Sequence, residues 1–152
     1  MRHFLLYLHV FGFVLWMGGG FAAMSTGIFM QHLPRKDLGV AVQVQGRLMR
    51  GLILPGAVML VLSGLILTLR LYGSATSVSG FPAALMVMQV AGLVAAGITL
   101  VVSFPAVTRL TRLDPVGPHA PLFDALRRRV GLAGMVSGVL GVVALVSGVL
   151  LR

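Results

Sequence analysis

The chain has 152 residues, of which 58% are hydrophobic and only 10% charged, and its mean hydropathy is +1.02. A water-soluble domain of this length needs more polar surface than this composition supplies, so an ordinary soluble protein is excluded. The net charge of +9 resides in basic residues set between long apolar runs. That arrangement flanks a membrane and does not build a nucleic-acid-binding face.

Four apolar stretches, Phe4–Met30, Gly51–Leu71, Phe81–Val107 and Val130–Leu151, are each near or above the roughly 20 residues that cross a ~30 Å hydrocarbon core. Lipid leaves backbone groups no outside partner, and the runs are too long for barrel strands. The expectation is an all-α integral membrane four-helix bundle, with residues 1–152 forming a single transmembrane domain in contact with the bilayer. Met1-Arg2-His3 and the run after it also have the outline of a secretory signal, with Gly20-Phe21-Ala22 as a cleavage region. The apolar run continues past that point to Met30, which favours a span.

His9 is the most informative residue of the first span. It stands about six residues inside, roughly 9 Å deep at the helical rise. A histidine at that depth is costly unless partnered, and imidazole is a common ligand of haem and metals. His9, Gly12, Trp16, Gly19 or Gly20, and Ala23 recur at three- and four-residue steps and share one helix face. That face has room for a ligand beside His9, or it packs on a neighbouring helix. The loop that follows, residues 31–50, carries Arg35, Lys36, Arg47 and Arg50. Asp37 is placed to cap a helix over Leu38–Arg50 that leads into span 2, with Pro55 bending it one turn inside.

The next connection, Tyr72–Gly80, is Gly/Ser/Thr-rich and uncharged. In span 3, Met86, Met88 and Gln89 lie at a depth similar to His9. A methionine sulfur can be an axial haem ligand or, together with His9, a Cu(I) ligand. It is also a routine filler of apolar cores. Loop 108–129 carries Arg109, Arg112, Arg127, Arg128 and Arg129, and its Pro115, Pro118 and Pro121 call for a turn. Asp124 is placed to cap the helix into span 4. With four spans the two basic loops share a side, which puts nine of the 12 Lys and Arg residues together. The positive-inside rule assigns that side to the cytoplasm and both termini to the outside. In span 4, Gly131, Gly134, Gly138, Gly141 and Gly148 form a small-residue stripe, and Gly134, Gly138 and Gly141 offer close approach to a partner subunit or a second copy.

There are no cysteines, and Asp37, Asp114 and Asp124 are the only acids. Thiol chemistry and paired-carboxylate catalysis are therefore absent from one chain. No nucleotide loop or hydrolase motif is present. The interfacial arginines serve as topology anchors, and Arg47, Arg50 and Arg127 are also able to grip carboxylates of a porphyrin or an anionic lipid.

Leu8-His9 followed by Val14-Leu15-Trp16-Met17-Gly18-Gly19 resembles the first helix of the CopD-like and HemJ-like family of small bacterial membrane proteins. Gly46-Arg47-Leu48-Met49-Arg50-Gly51-Leu52-Ile53-Leu54-Pro55-Gly56 resembles the start of that family's second helix, and Phe123-Asp124-Ala125-Leu126-Arg127-Arg128 the approach to its fourth. The resemblance implies a bacterial inner-membrane protein that handles haem or copper. His9 then corresponds to the first-helix histidine, and Arg47 and Arg50 to the basic pair before the proline. The third-helix lysine of the HemJ branch has no counterpart in Phe81–Ser103, and arginines replace the acidic residue before the fourth helix. These departures argue against oxidase activity and leave haem b binding, with His9, Trp16, Met88, Arg47 and Arg50 as its candidate contacts. The alternatives are a non-enzymatic accessory subunit of a membrane complex, and copper handling by His9, Met86 and Met88.

Overall fold

A computed structural model describes residues 2–73 and 82–151. Met1, residues 74–81 and Arg152 lie outside the described residues. With them go most of the expected uncharged loop Tyr72–Gly80 and the expected start of span 3 at Phe81.

The described chain is helical, with no strand among the described residues. Helix α1 runs Arg2–Phe29 and tightens into a 3₁₀ turn at Met30–His32. A second such turn, Arg35–Asp37, leads into α2 (Leu38–Leu48), a π-helical turn (Met49–Ile53) and α3 (Leu54–Tyr72). The second half repeats this design. Helix α4 (Ala83–Gly97) passes through a π turn (Ile98–Ser103) into α5 (Phe104–Leu110), and α6 spans Ala120–Val149. Four helical stretches are thus long and apolar enough to cross a membrane: Arg2–His32, Arg35–Leu71, Ala83–Leu110 and Ala120–Val149. The protein is a multi-pass membrane protein.

Both π turns precede a proline, Pro55 in the first turn of α3 and Pro105 in that of α5. A proline inside a helix has no N–H to donate, and its ring collides with the carbonyl four residues back. Widening that turn relieves both faults without breaking the helix. The expected bend at Pro55 therefore takes the form of a π turn just before it, and the equivalent at Pro105 gives no cue in a single sequence beyond the proline itself.

Two expected caps are corrected. Asp37 occupies the N-cap position of α2, but its backbone is already helical (φ −94°, ψ −10°) and its side chain makes no capping bond. The preceding 3₁₀ turn feeds straight into the helix, whereas a capping side chain needs extended backbone to fold back. Asp124 lies inside α6, which begins at Ala120 with Pro121 in its first turn. Its carboxylate instead accepts from Arg35 Nη2 at 2.8 Å. The loop expected over 108–129 shrinks accordingly, since α5 holds Arg109 and α6 holds Arg127, Arg128 and Arg129.

Helix α1 packs along α3 and α4 along α6, and contacts of α1 with α6 and of α3 with α4 join the two pairs. The core has two parts. At the end carrying both basic loops, the basic end, Met30, Leu38, Val42, Leu110, Phe123 and Leu126 form one cluster. Deeper in the bundle, Trp16, Met49, Ile53, Ala57, Leu60 and Ala95 belong to another. The outer surface of the spans is rich in exposed Leu, Val, Ile and Phe, the surface that lipid requires.

Candidate functional site

The predicted face of α1 is a packing face. Gly12, Trp16 and Gly19 are its buried residues. A Cβ on Gly12 would stand 2.8 Å from the Leu60 backbone nitrogen, and one on Gly19 2.8 Å from Ile53 Cγ1. Gly56 of α3 answers from the other side: its Cβ would lie 2.6 Å from the Trp16 nitrogen. Small residues on both helices let the two backbones approach closely. Helix α3 thus fills the groove that the glycines of α1 offered to a ligand.

His9 lies at the upper part of this contact, half-buried against α3. Its Nδ1 is 3.0 Å from the Leu60 carbonyl oxygen and 3.3 Å from Ser63 Oγ. A carbonyl only accepts, so Nδ1 carries the proton and Nε2 holds the lone pair. Nε2 has no partner among the described residues and is not enclosed. Ser63 is itself buried and donates to Met59 O at 2.6 Å. The ring rests on Gly64, where a Cβ would be 2.8 Å from its Cε1. Ser63 and Gly64, which no motif marked, hold the ring. The available signal was a serine and a glycine adjacent within an otherwise apolar run.

Trp16 is buried in the middle of the bundle. Its Nε1–H donates to Thr99 Oγ1 at 3.3 Å, and Thr99 and Ser137 both donate to the Ala95 carbonyl oxygen, at 2.9 and 3.4 Å. This ties α1, α4 and α6 together through groups that lipid would leave unsatisfied. Nearer the basic end, Gln45 is buried and donates to Ala23 O at 2.9 Å, while its Oε1 has no donor among the described residues. The sequence had placed Gln45 in a loop helix, where no special role attached to it.

The other candidates belong to elements other than the helix that holds the His9 ring. Met86 is exposed, and Met88 sits at the α4–α6 contact, its sulfur 3.2 Å from where a Cβ of Gly148 would be. Neither belongs to α3, which holds the His9 ring. No group of three or more His, Cys, Asp or Glu side chains able to hold a metal occurs among the described residues. Arg47 and Arg50 are exposed at the basic end. Since Gly19 of α1 packs on Ile53, Arg50 is level with the residues just after Gly19, more than ten positions below His9, or roughly 15–20 Å at the helical rise. A haem whose iron sat on Nε2 would not bring its propionates there. The fit to haem is therefore one-sided: an oriented imidazole with an uncommitted Nε2 is present, while the arginines belong to the opposite end.

The glycine stripe of α6 divides. Gly141 faces inward, where a Cβ would be 2.6 Å from Met17 Sδ, and is not available to a partner. Gly131, Gly134 and Gly138 have nothing within 4 Å of an added Cβ and face outward. Which part of the stripe meets another chain segment depends on the neighbours at its own level of the bundle. No family model, curated protein or solved structure matches this chain.

Proposed function

We propose that the protein is a small polytopic protein of a bacterial inner membrane that carries haem b on His9. One observation carries this reading. Within a membrane span, the imidazole is oriented by a backbone carbonyl through Nδ1 and keeps an uncommitted Nε2, as metal-binding histidines do. The likeness of the first helix and of Gly46–Gly56 to the CopD-like and HemJ-like family supports it. His9 Nε2 would hold the iron, Leu60 and Ser63 fix the ring, and Gly64 leaves the space for its edge. Bound there, haem would supply electron transfer or be held for delivery. With no counterpart of the third-helix lysine of the HemJ branch in Phe81–Ser103, the chain serves better as a carrier than as an oxidase.

Protein purified in mild detergent is expected to show a Soret band, as isolated or after haem is added. His9→Ala should lose the band yet keep its thermal transition. A wild-type protein with no Soret band before or after haem addition overturns the reading.

A second reading, a non-enzymatic accessory subunit, is favoured by the outward face of Gly131, Gly134 and Gly138. Colourless protein that elutes with a partner helix or a second copy belongs to this reading.

The basic end is assigned to the cytoplasm, with both termini outside, from the excess of Lys and Arg in its two loops. The chain has no cysteine, so single cysteines report topology directly. In intact cells a membrane-impermeant maleimide is expected to label His3→Cys, and to reach Lys36→Cys only after permeabilisation. The opposite pattern reverses the orientation.

A further inference from the structure

Away from His9, a groove of about 570 Å³ runs between the π turn Ile98–Ser103 and α6. Its apolar walls include Ile98, Val102, Leu132 and Val136, and Arg128 and Arg129 stand at one end. A second hollow of about 210 Å³ shares Val102 and Arg129 with it and adds Arg109 and Pro105. The two hollows adjoin at Val102 and Arg129, with arginines at the basic end and apolar side chains along α6. On α6 the wall extends from Arg129 to Val136, roughly 10 Å at the helical rise.

The three arginines have no acidic partner among the described residues. Of the three acids, Asp124 is taken by Arg35, Asp114 accepts from the Val116 N–H, and Asp37, in the turn Arg35–Asp37, forms no ion pair among the described residues. Guanidinium groups at a membrane interface favour phosphate, which they can grip bidentately. A basic pocket between transmembrane helices, at the end of an apolar groove, has the polarity of a phospholipid: charged head at the surface, acyl chain along the wall.

We infer that the groove between α4–α5 and α6 is a binding site for an anionic glycerophospholipid. Arg109, Arg128 and Arg129 hold the phosphate, and Ile98, Val102, Leu132 and Val136 flank an acyl chain. The commitment is to a lipid rather than free phosphate, because the apolar wall is continuous with the arginines and phosphate alone would leave it unused. The site is independent of any group bound at His9.

Native mass spectrometry of the full-length protein, released from micelles containing equal amounts of cardiolipin and phosphatidylcholine, tests the inference. Cardiolipin is expected to be retained in preference to phosphatidylcholine. Arg109→Gln/Arg129→Gln should weaken retention by about fivefold per arginine, roughly 25-fold for the pair. Lys36→Gln/Arg112→Gln removes the same charge from exposed positions outside the groove and should change it little. Leu132→Trp fills the groove without touching charge or core, and should also reduce retention. Added inorganic phosphate should not displace the lipid. Equal retention of the two lipids, equal loss in both double variants, full retention by Leu132→Trp or displacement by phosphate would each overturn the inference.

Discussion

Gly56→Leu is expected to force α1 and α3 apart and to cost about 3 kcal/mol or more, beyond the usual range for overpacking. A side chain there meets backbone on the neighbouring helix. The Trp16 nitrogen would be 2.6 Å from the new Cβ and the Gly12 carbonyl oxygen 2.9 Å. A rotamer change cannot relieve a collision with main chain, so even Gly56→Ala should lose about 1–3 kcal/mol. Inside a bilayer the stabilisation of a helix pair comes from close packing and not from removing apolar surface from water. Separation of the backbones therefore removes most of what holds the pair. Gly92→Ala is the matched control, since nothing lies within 4 Å of its added Cβ. It should leave stability unchanged or raise it by up to about 1 kcal/mol through helix propensity. Reversible unfolding in mixed micelles measures all three, and similar losses at Gly56 and Gly92 would refute the packing argument.

Phe123→Ala should be the most damaging truncation at the basic end, at about 3–5 kcal/mol. Phe123 is fully buried in one cluster with Met30, Leu38, Val42, Leu110 and Leu126, so it joins the turn after α1 to α2, α5 and α6 at one point. Phe123→Leu, which keeps most of the volume, should cost less than about 1.5 kcal/mol. By contrast, the Arg35–Asp124 pair beside it is 57% and 42% exposed, and an exposed ion pair contributes little. Micelle unfolding of Phe123→Ala, Phe123→Leu and Asp124→Ala ranks the contributions. A loss at Asp124 equal to that at Phe123 would show that charge and not packing fastens this end.

The four spans were legible because roughly 20 consecutive apolar residues have few alternatives in a chain this poor in charge. Trp16 and the first-helix glycines were legible as one face, and that face is buried. What it faces was not legible, because three- and four-residue spacing records the side of a helix and says nothing of the neighbour. Gly56 was the missing partner, and its role depends on the backbone of Gly12 and Trp16, 44 and 40 residues earlier in the sequence. The division of the α6 stripe was hidden for a related reason. Gly134, Gly138 and Gly141 recur at four- and three-residue steps, but which of them meets another chain segment depends on the neighbours at its own level of the bundle. For Asp37 and Asp124 the residue types suited a cap, and the local backbone and the nearby Arg35 took them elsewhere.

The two π turns before Pro55 and Pro105 set the rotational phase of the helices they interrupt. Gln45, Met49, Ile53 and Ala57 are all buried, as are Ala95, Thr99, Ser103 and Val107. Each set recurs every four residues, a spacing that on an unbroken α-helix would wind about 40° further round the axis at every step. The wider turn absorbs this surplus and keeps each row on one side. The residues around each proline thus behave like a frame: winding Met49–Ile53 as plain α-helix at its present length would swing everything before it by about 120°, turning Gln45 and Val42 out of the core. Deleting one residue from that turn would instead remove the surplus together with the wide turn and leave Gln45 within about 20° of its present side. The α-helical stretches on either side have no such reserve, and outside the two turns single-residue insertions and deletions belong in the loops that join the spans.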